Sequence, residues 1–71
     1  PKEHWARAQP ERFPVDLRRA DRADLLRVPG LGPVAVRRIL AARREGIRIA
    51  SLERVGLRGD RARRAAAWLR L

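Results

Sequence analysis

Leu25-Leu26-Arg27-Val28-Pro29-Gly30-Leu31-Gly32-Pro33, continued by Val34-Ala35-Val36-Arg37-Arg38-Ile39-Leu40, is the stretch on which the fold turns. Upstream of it Asp21 suits an N-cap and Asp24 the first helical turn, with Leu25, Leu26 and Val28 on the inward face, which predicts a helix over about 22–28. Pro29 and Gly30 stop that helix. Gly32 tolerates backbone angles closed to other residues, and Pro33 fits the first position of a new helix. That second helix runs from Pro33 to about Glu45, carries Val36, Ile39, Leu40 and the Arg43 stem at helical spacing, and ends at Gly46. Two helices joined by a glycine hairpin follow.

The pattern recurs. Asp24-Leu25-Leu26-Arg27-Val28 is answered by Ser51-Leu52-Glu53-Arg54-Val55, and Arg37-Arg38 by Arg63-Arg64 if one residue is deleted between them. Ile47-Arg48-Ile49 alternates like a short extended connector. Ser51 can cap a helix to about Val55, and Gly56-Leu57-Arg58-Gly59 makes a second hairpin. Asp60 can then cap a last helix through Ala62, Ala65, Ala66 and Leu69. The second hairpin aligns with the first in either of two registers, one residue apart. The first unit spans 21–45 and the degenerate second unit 51–71, together a domain over 21–71. Before it, residues 1–20 read as an N-terminal arm: a short helix around Glu3 to Ala8 ended by Pro10, then extended Phe13-Pro14-Val15, packed down by Trp5 and Phe13. The expected fold is all-α, a SAM-domain-like bundle of about four to five short helices.

Composition narrows the partner. The 71 residues carry 18 Lys and Arg against 8 Asp and Glu, a net charge of +10. Such a surplus favours a polyanion through counterion release and long-range attraction. Lys2 is the only lysine, so part of the arginine excess fits a GC-rich genome, but that does not account for the scarcity of acids. Absence of cysteine rules out a disulfide, an iron–sulfur cluster or a thiolate zinc site within these residues. No apolar run approaches a membrane span and no signal-peptide pattern occurs, so the expectation is a soluble, cytoplasmic and monomeric chain. Starting at Pro1, it reads as a domain of a longer protein.

A phosphate needs donors that approach closely and cost little to order, and backbone amides in a glycine turn meet both demands. Gly30 and Gly32 provide the opening, with Leu31 turned inward between them. The amides of Val34 and Ala35 point the same way from the positive end of the helix dipole. Pro29 and Pro33 stiffen the turn. Contacts of this kind engage the backbone of a nucleic acid, not its bases, and are independent of sequence. Arg37, Arg38, Arg58 and Arg61 are the preferred side-chain phosphate contacts. Arg37 with Arg44, and Arg61 with Arg64, share helix faces, and about half of the arginines near the hairpins read as solvated surface. Asp60 would repel phosphate at the second hairpin.

On Val28-Pro29-Gly30-Leu31-Gly32-Pro33 and Arg37-Arg38-Ile39-Leu40 the chain resembles the helix–hairpin–helix motif of DNA-binding and repair proteins, over about Asp24 to Leu40. The resemblance implies hairpin amides that hold a DNA phosphate across the minor groove. It also implies hairpin carbonyls, here those of Leu25, Val28 and Gly30, that bind a potassium or sodium ion. Val34 departs from the lysine common in the family, and Val36 from a small alanine that lets the helices approach. A wider likeness runs through Trp5, Pro10-Glu11-Arg12-Phe13-Pro14-Val15 and Arg19-Ala20-Asp21-Arg22 to the C-terminal region of bacterial radical S-adenosylmethionine proteins of DNA modification or repair. It implies a preceding catalytic domain to which this one delivers nucleic acid. The tandem arrangement also resembles the DNA receptor domain of bacterial competence systems.

No pairing of acids, no nucleophile motif and no metal-ligand spacing around His4 suggests catalysis by these residues, so they are not expected to form an enzyme on their own. Trp5, Phe13 and Trp68 could stack on unpaired bases, but core packing is favoured, above all for Trp68. The expected function is non-sequence-specific binding of DNA, duplex preferred with RNA left open, at a Kd of about 10⁻⁴ to 10⁻⁶ M at physiological salt. A module that docks an enzyme domain onto a protein partner is the alternative.

Overall fold

A computed structural model describes residues 2–71. Helix α1 covers Lys2–Arg7 and is followed by a 3₁₀ turn at Pro10–Arg12, strand β1 at Val15–Asp16, α2 at Arg22–Leu26 and α3 at Pro33–Arg44. A second 3₁₀ turn at Leu52–Val55, α4 at Gly59–Ala66 and strand β2 at Leu69–Arg70 complete it.

The all-α expectation is corrected by β1 and β2, which pair in parallel with Val15 opposite Leu69 and Asp16 opposite Arg70. The protein is mainly helical with a two-stranded parallel sheet. The cause lies at the end of α4. That helix was expected to continue through Leu69, but it stops at Ala66, and Trp68 packs edge-on against Phe13 at 5.2 Å between ring centroids. Phe13 in turn meets Trp5 at 6.0 Å. With the aromatic trio joining the two ends of the domain, the chain beyond Trp68 runs extended beside β1. The Val15 amide donates to the Trp68 carbonyl at 2.9 Å and the Leu17 amide to that of Arg70 at 3.0 Å. Arg70 and Asp16 pair across the strands at 3.8 Å. The arm is thus built into the domain, with Leu17 fully buried. The Phe13–Pro14 peptide bond is cis.

Helix α2 forms as its cap dictates: the Asp21 carboxylate accepts from the Asp24 amide at 2.9 Å. It is shorter than expected because the Val28 amide tightens onto the Leu25 carbonyl, three residues back, at 3.1 Å. Helix α3 starts at Pro33 and closes on a Schellman-type bond from the Ile47 amide to the Ala42 carbonyl, 2.9 Å. The segment Leu52–Val55 is 3₁₀, not α, and Ser51 makes no side-chain cap. Arg58, not Asp60, is the N-cap of α4, and Asp60 sits in its first turn.

The core is entirely apolar. Leu17, Leu25, Val28, Leu31, Val36, Ile39, Val55 and Leu57 are its centre. Four contributors of the first unit have buried counterparts in the second: Leu25 and Leu52, Val28 and Val55, Leu31 and Leu57, and Ile39 and Ala65. Gly30 and Gly56 share left-handed backbone, φ 91° and 85°, while Gly32 and Arg58 are the extended N-caps of α3 and α4. The register left open by sequence is therefore the one that deletes Pro29, with Gly56 in the place of Gly30.

Candidate nucleic-acid interface

The first hairpin projects three backbone amides with nothing to bond. Helix α3 begins with Pro33, which has no N–H, and its first internal bond runs from the Val36 amide to the Gly32 carbonyl at 3.0 Å. Among the described residues no acceptor meets the amides of Gly32, Val34 or Ala35. These are the orphan donors of a helix N-terminus, at the positive end of its dipole. No side chain caps them, since the N-cap is glycine. Val34 is exposed, while Ala35 is buried.

The two glycines do different work. Gly32 has φ −102° and ψ −179°, angles open to any residue, and a β-carbon there would meet only the Arg61 guanidinium at 3.6 Å. The space in front of the amides is open on that side. Gly30 instead faces inward: a β-carbon on it would fall 3.0 Å from the Arg61 carbonyl oxygen and 3.1 Å from the Ala65 amide nitrogen. Such spacing demands glycine for the close approach of α4 as well as for the left-handed turn. Leu31, between them, is buried and pins the loop to the core.

Of the carbonyls named for a monovalent ion, that of Leu25 accepts the Val28 amide and that of Val28 accepts the Leu31 amide, both at 3.1 Å. The Gly30 carbonyl accepts from Arg61 Nη2 at 3.4 Å. Leu31, next in the turn, accepts from Lys2 Nζ at 2.6 Å. Partial burial of Lys2 lowers its pKa by desolvation. Two of the protein's own cations thus sit on the hairpin carbonyls, and no cluster of three or more His, Cys, Asp or Glu occurs among the described residues.

The preferred arginines divide between the hairpins. Arg61 comes back from α4 to the first, and Arg38 reaches from α3 to lie against Gly56 of the second. Arg58 stands at the second hairpin as N-cap of α4. Arg37 bonds to neither hairpin and lines a depression beside the first one with Arg22, Pro33, Leu40 and Arg44. At the second hairpin the amides of Gly59, Asp60 and Arg61 are likewise without an acceptor among the described residues, and the first bond of α4 runs from the Ala62 amide to the Arg58 carbonyl at 3.4 Å. The Asp60 carboxylate pairs with Arg63 one turn on, which offsets its charge there.

Arg18, Arg22 and Arg48 were not expected from sequence to share a surface, nor Lys2 to reach the first hairpin. The spacing of Arg37, Leu40 and Arg44 along one helix face was the available signal, but the approach of Arg18, Arg22 and Arg48 to that face is tertiary. Trp5, with Arg12 and Arg27 each 5.7 Å from its ring, packs within the aromatic trio. No helix among the described residues is long and apolar enough to cross a membrane.

No family model, curated protein or solved structure matches this chain.

Proposed function

We propose that this domain binds DNA without regard to sequence, holding a backbone phosphate on the amides of Gly32, Val34 and Ala35. The observation that carries the proposal is the set of three amides without an acceptor among the described residues at an uncapped helix start, in a chain of net charge +10. An anion supplies at once what those donors lack and what the dipole favours. Arg61 stands beside the amides as the nearest side-chain cation and takes, at the Gly30 carbonyl, the place that the helix–hairpin–helix likeness gives to K⁺ or Na⁺. The second hairpin is a weaker partner because Asp60 shares its mouth. In a longer protein, the domain would present nucleic acid to a neighbouring catalytic domain of a repair or modification enzyme. A protein-docking role is favoured by one observation, the exposed apolar Val34 at the tip.

Gly32→Val tests the proposal, because it leaves all 18 cations in place and fits the local backbone. Measured by anisotropy on a labelled duplex, affinity should fall about tenfold, the loss of one charge-assisted hydrogen bond. Unchanged affinity in a folded variant overturns the amide grip. Absence of duplex binding by the native protein at physiological salt, with a protein ligand held through the same surface, selects the docking role instead.

A further inference from the structure

The surface divides by charge pairing. Glu3, Asp16, Asp24 and Asp60 hold the ion pairs among the described residues, with Arg7 and Arg64, Arg70, Arg27, and Arg63 respectively. None of those acids lines the depressions along α3. There Arg18, Arg22, Arg37, Arg44 and Arg48 rim two adjoining depressions that share Arg44 and Leu40, and among the described residues none of the five pairs with an acid. Their apolar lining is half-buried Leu40, which both share, and in one of them buried Ile49 and Ile47, which is 50% exposed. Pro33 lines the nearer depression, so the groove opens beside the first hairpin and follows α3 to Gly46. Twelve helical residues give it a length of about 18 Å.

We infer that this groove takes a single-stranded stretch of nucleic acid leading away from a duplex held at the first hairpin, an inference that rests on the function proposed above. The unpaired guanidinium groups match a run of phosphates, and their planes stack on bases. The apolar lining decides between strand states. A duplex keeps its base faces stacked inside and turns polar base edges, sugar and phosphate outward, so Leu40 and Ile47 would meet polar or charged groups. An unpaired strand can lay base faces on that lining while its phosphates reach the rim. The preferred ligand is then a duplex with a single-stranded tail.

Three labelled probes test this by anisotropy: a blunt duplex, the same duplex with an oligo-dT tail of about ten nucleotides, and the tail alone. The tail should tighten binding about tenfold and steepen the salt dependence, by about 0.7 in log–log slope for each added phosphate contact. Arg44→Ala with Arg48→Ala, and separately Ile47→Ser, should remove the gain while blunt-duplex affinity changes about twofold or less for the latter. Arg19→Ala with Arg54→Ala, elsewhere on the surface, should lower affinity for both duplex probes equally. Equal affinity for blunt and tailed duplex overturns the groove and leaves the hairpin grip standing. Binding of the tailed probe and the tail alone, with the blunt duplex ignored, overturns the hairpin grip and supports the groove. Loss of the tail's gain in the Arg19 and Arg54 control as well, or its displacement by a poly-glutamate peptide as readily as by oligo-dT, also overturns the inference.

Discussion

Arg61 Nη2 lies 3.4 Å from the Gly30 carbonyl oxygen, so an arginine of the second unit closes the hairpin of the first. The relation is reciprocal, since Arg38 of α3 lies against Gly56 of the second hairpin. Each turn is shaped partly by the other unit, and a change in one is expected to be felt in both.

The contact between Gly30 and α4 separates the two glycines of the first turn. Gly30→Ala should destabilise by about 2 kcal/mol or more, since an alanine must hold a left-handed backbone and crowd the Arg61 carbonyl. Gly32→Ala should fall within about 0.5 kcal/mol of the native protein, because its backbone angles are ordinary. Urea unfolding followed by circular dichroism measures both, and equal effects would contradict the division of roles.

Leu31 and Leu57 occupy matching sites under the two turns, 1% and 2% exposed. Each, replaced by alanine, should lose about 2–5 kcal/mol. A domain of this size holds a total of order 5 kcal/mol, so either variant should show a much lowered melting temperature or no cooperative transition. A mild effect at Leu57 alone would mark the second unit as an appendage.

Asp60 poses a trade between folding and binding. Asp60→Asn removes a negative charge from the first turn of α4 and should lower stability by about 0.3–1 kcal/mol. It also frees Arg63 and lifts repulsion at the second hairpin, so duplex affinity should rise about threefold, a modest exposed-charge effect. Anisotropy at low salt is the sensitive readout, and unchanged affinity would argue that phosphate never approaches that turn.

The parallel strand pair makes a sharp prediction for hydrogen exchange. Removal of residues 69–71 deletes the acceptor of the Leu17 amide but keeps that of the Val15 amide, the Trp68 carbonyl. Exchange at Leu17 should accelerate strongly while Val15 keeps more of its protection. Equal acceleration at both sites would show that the arm detaches as a whole.

The hairpins were the most readable part of the chain because their signals are local. Pro33 fixes a helix start, Gly30 and Gly46 mark ends, and Val36, Ile39 and Leu40 keep helical period over one continuous element. Local signals fail where residues far apart in sequence decide the outcome. Leu69 and Arg70 follow an alanine-rich helix and carry no strand pattern, so only the meeting of Trp68 with Phe13 turns them into β2. Gly30 and Gly32 look alike in sequence, and the difference between a packed glycine and an open one comes from α4, which arrives from the other unit. The arginines were countable from the start. Which of them the acids engage was not, because pairs such as Arg64 with Glu3 and Arg70 with Asp16 form only once α1, β1 and the C-terminal segment come together.

The strand pair also fixes how the domain responds to pulling. Because β1 and β2 run parallel, tension applied upstream of Val15 and downstream of Arg70 drives the strands past each other along their length, and the hydrogen bonds at Val15 and Leu17 bear the load together. A domain held at both ends while its ligand is hauled would therefore resist as a clasp in shear, not open bond by bond like a zip.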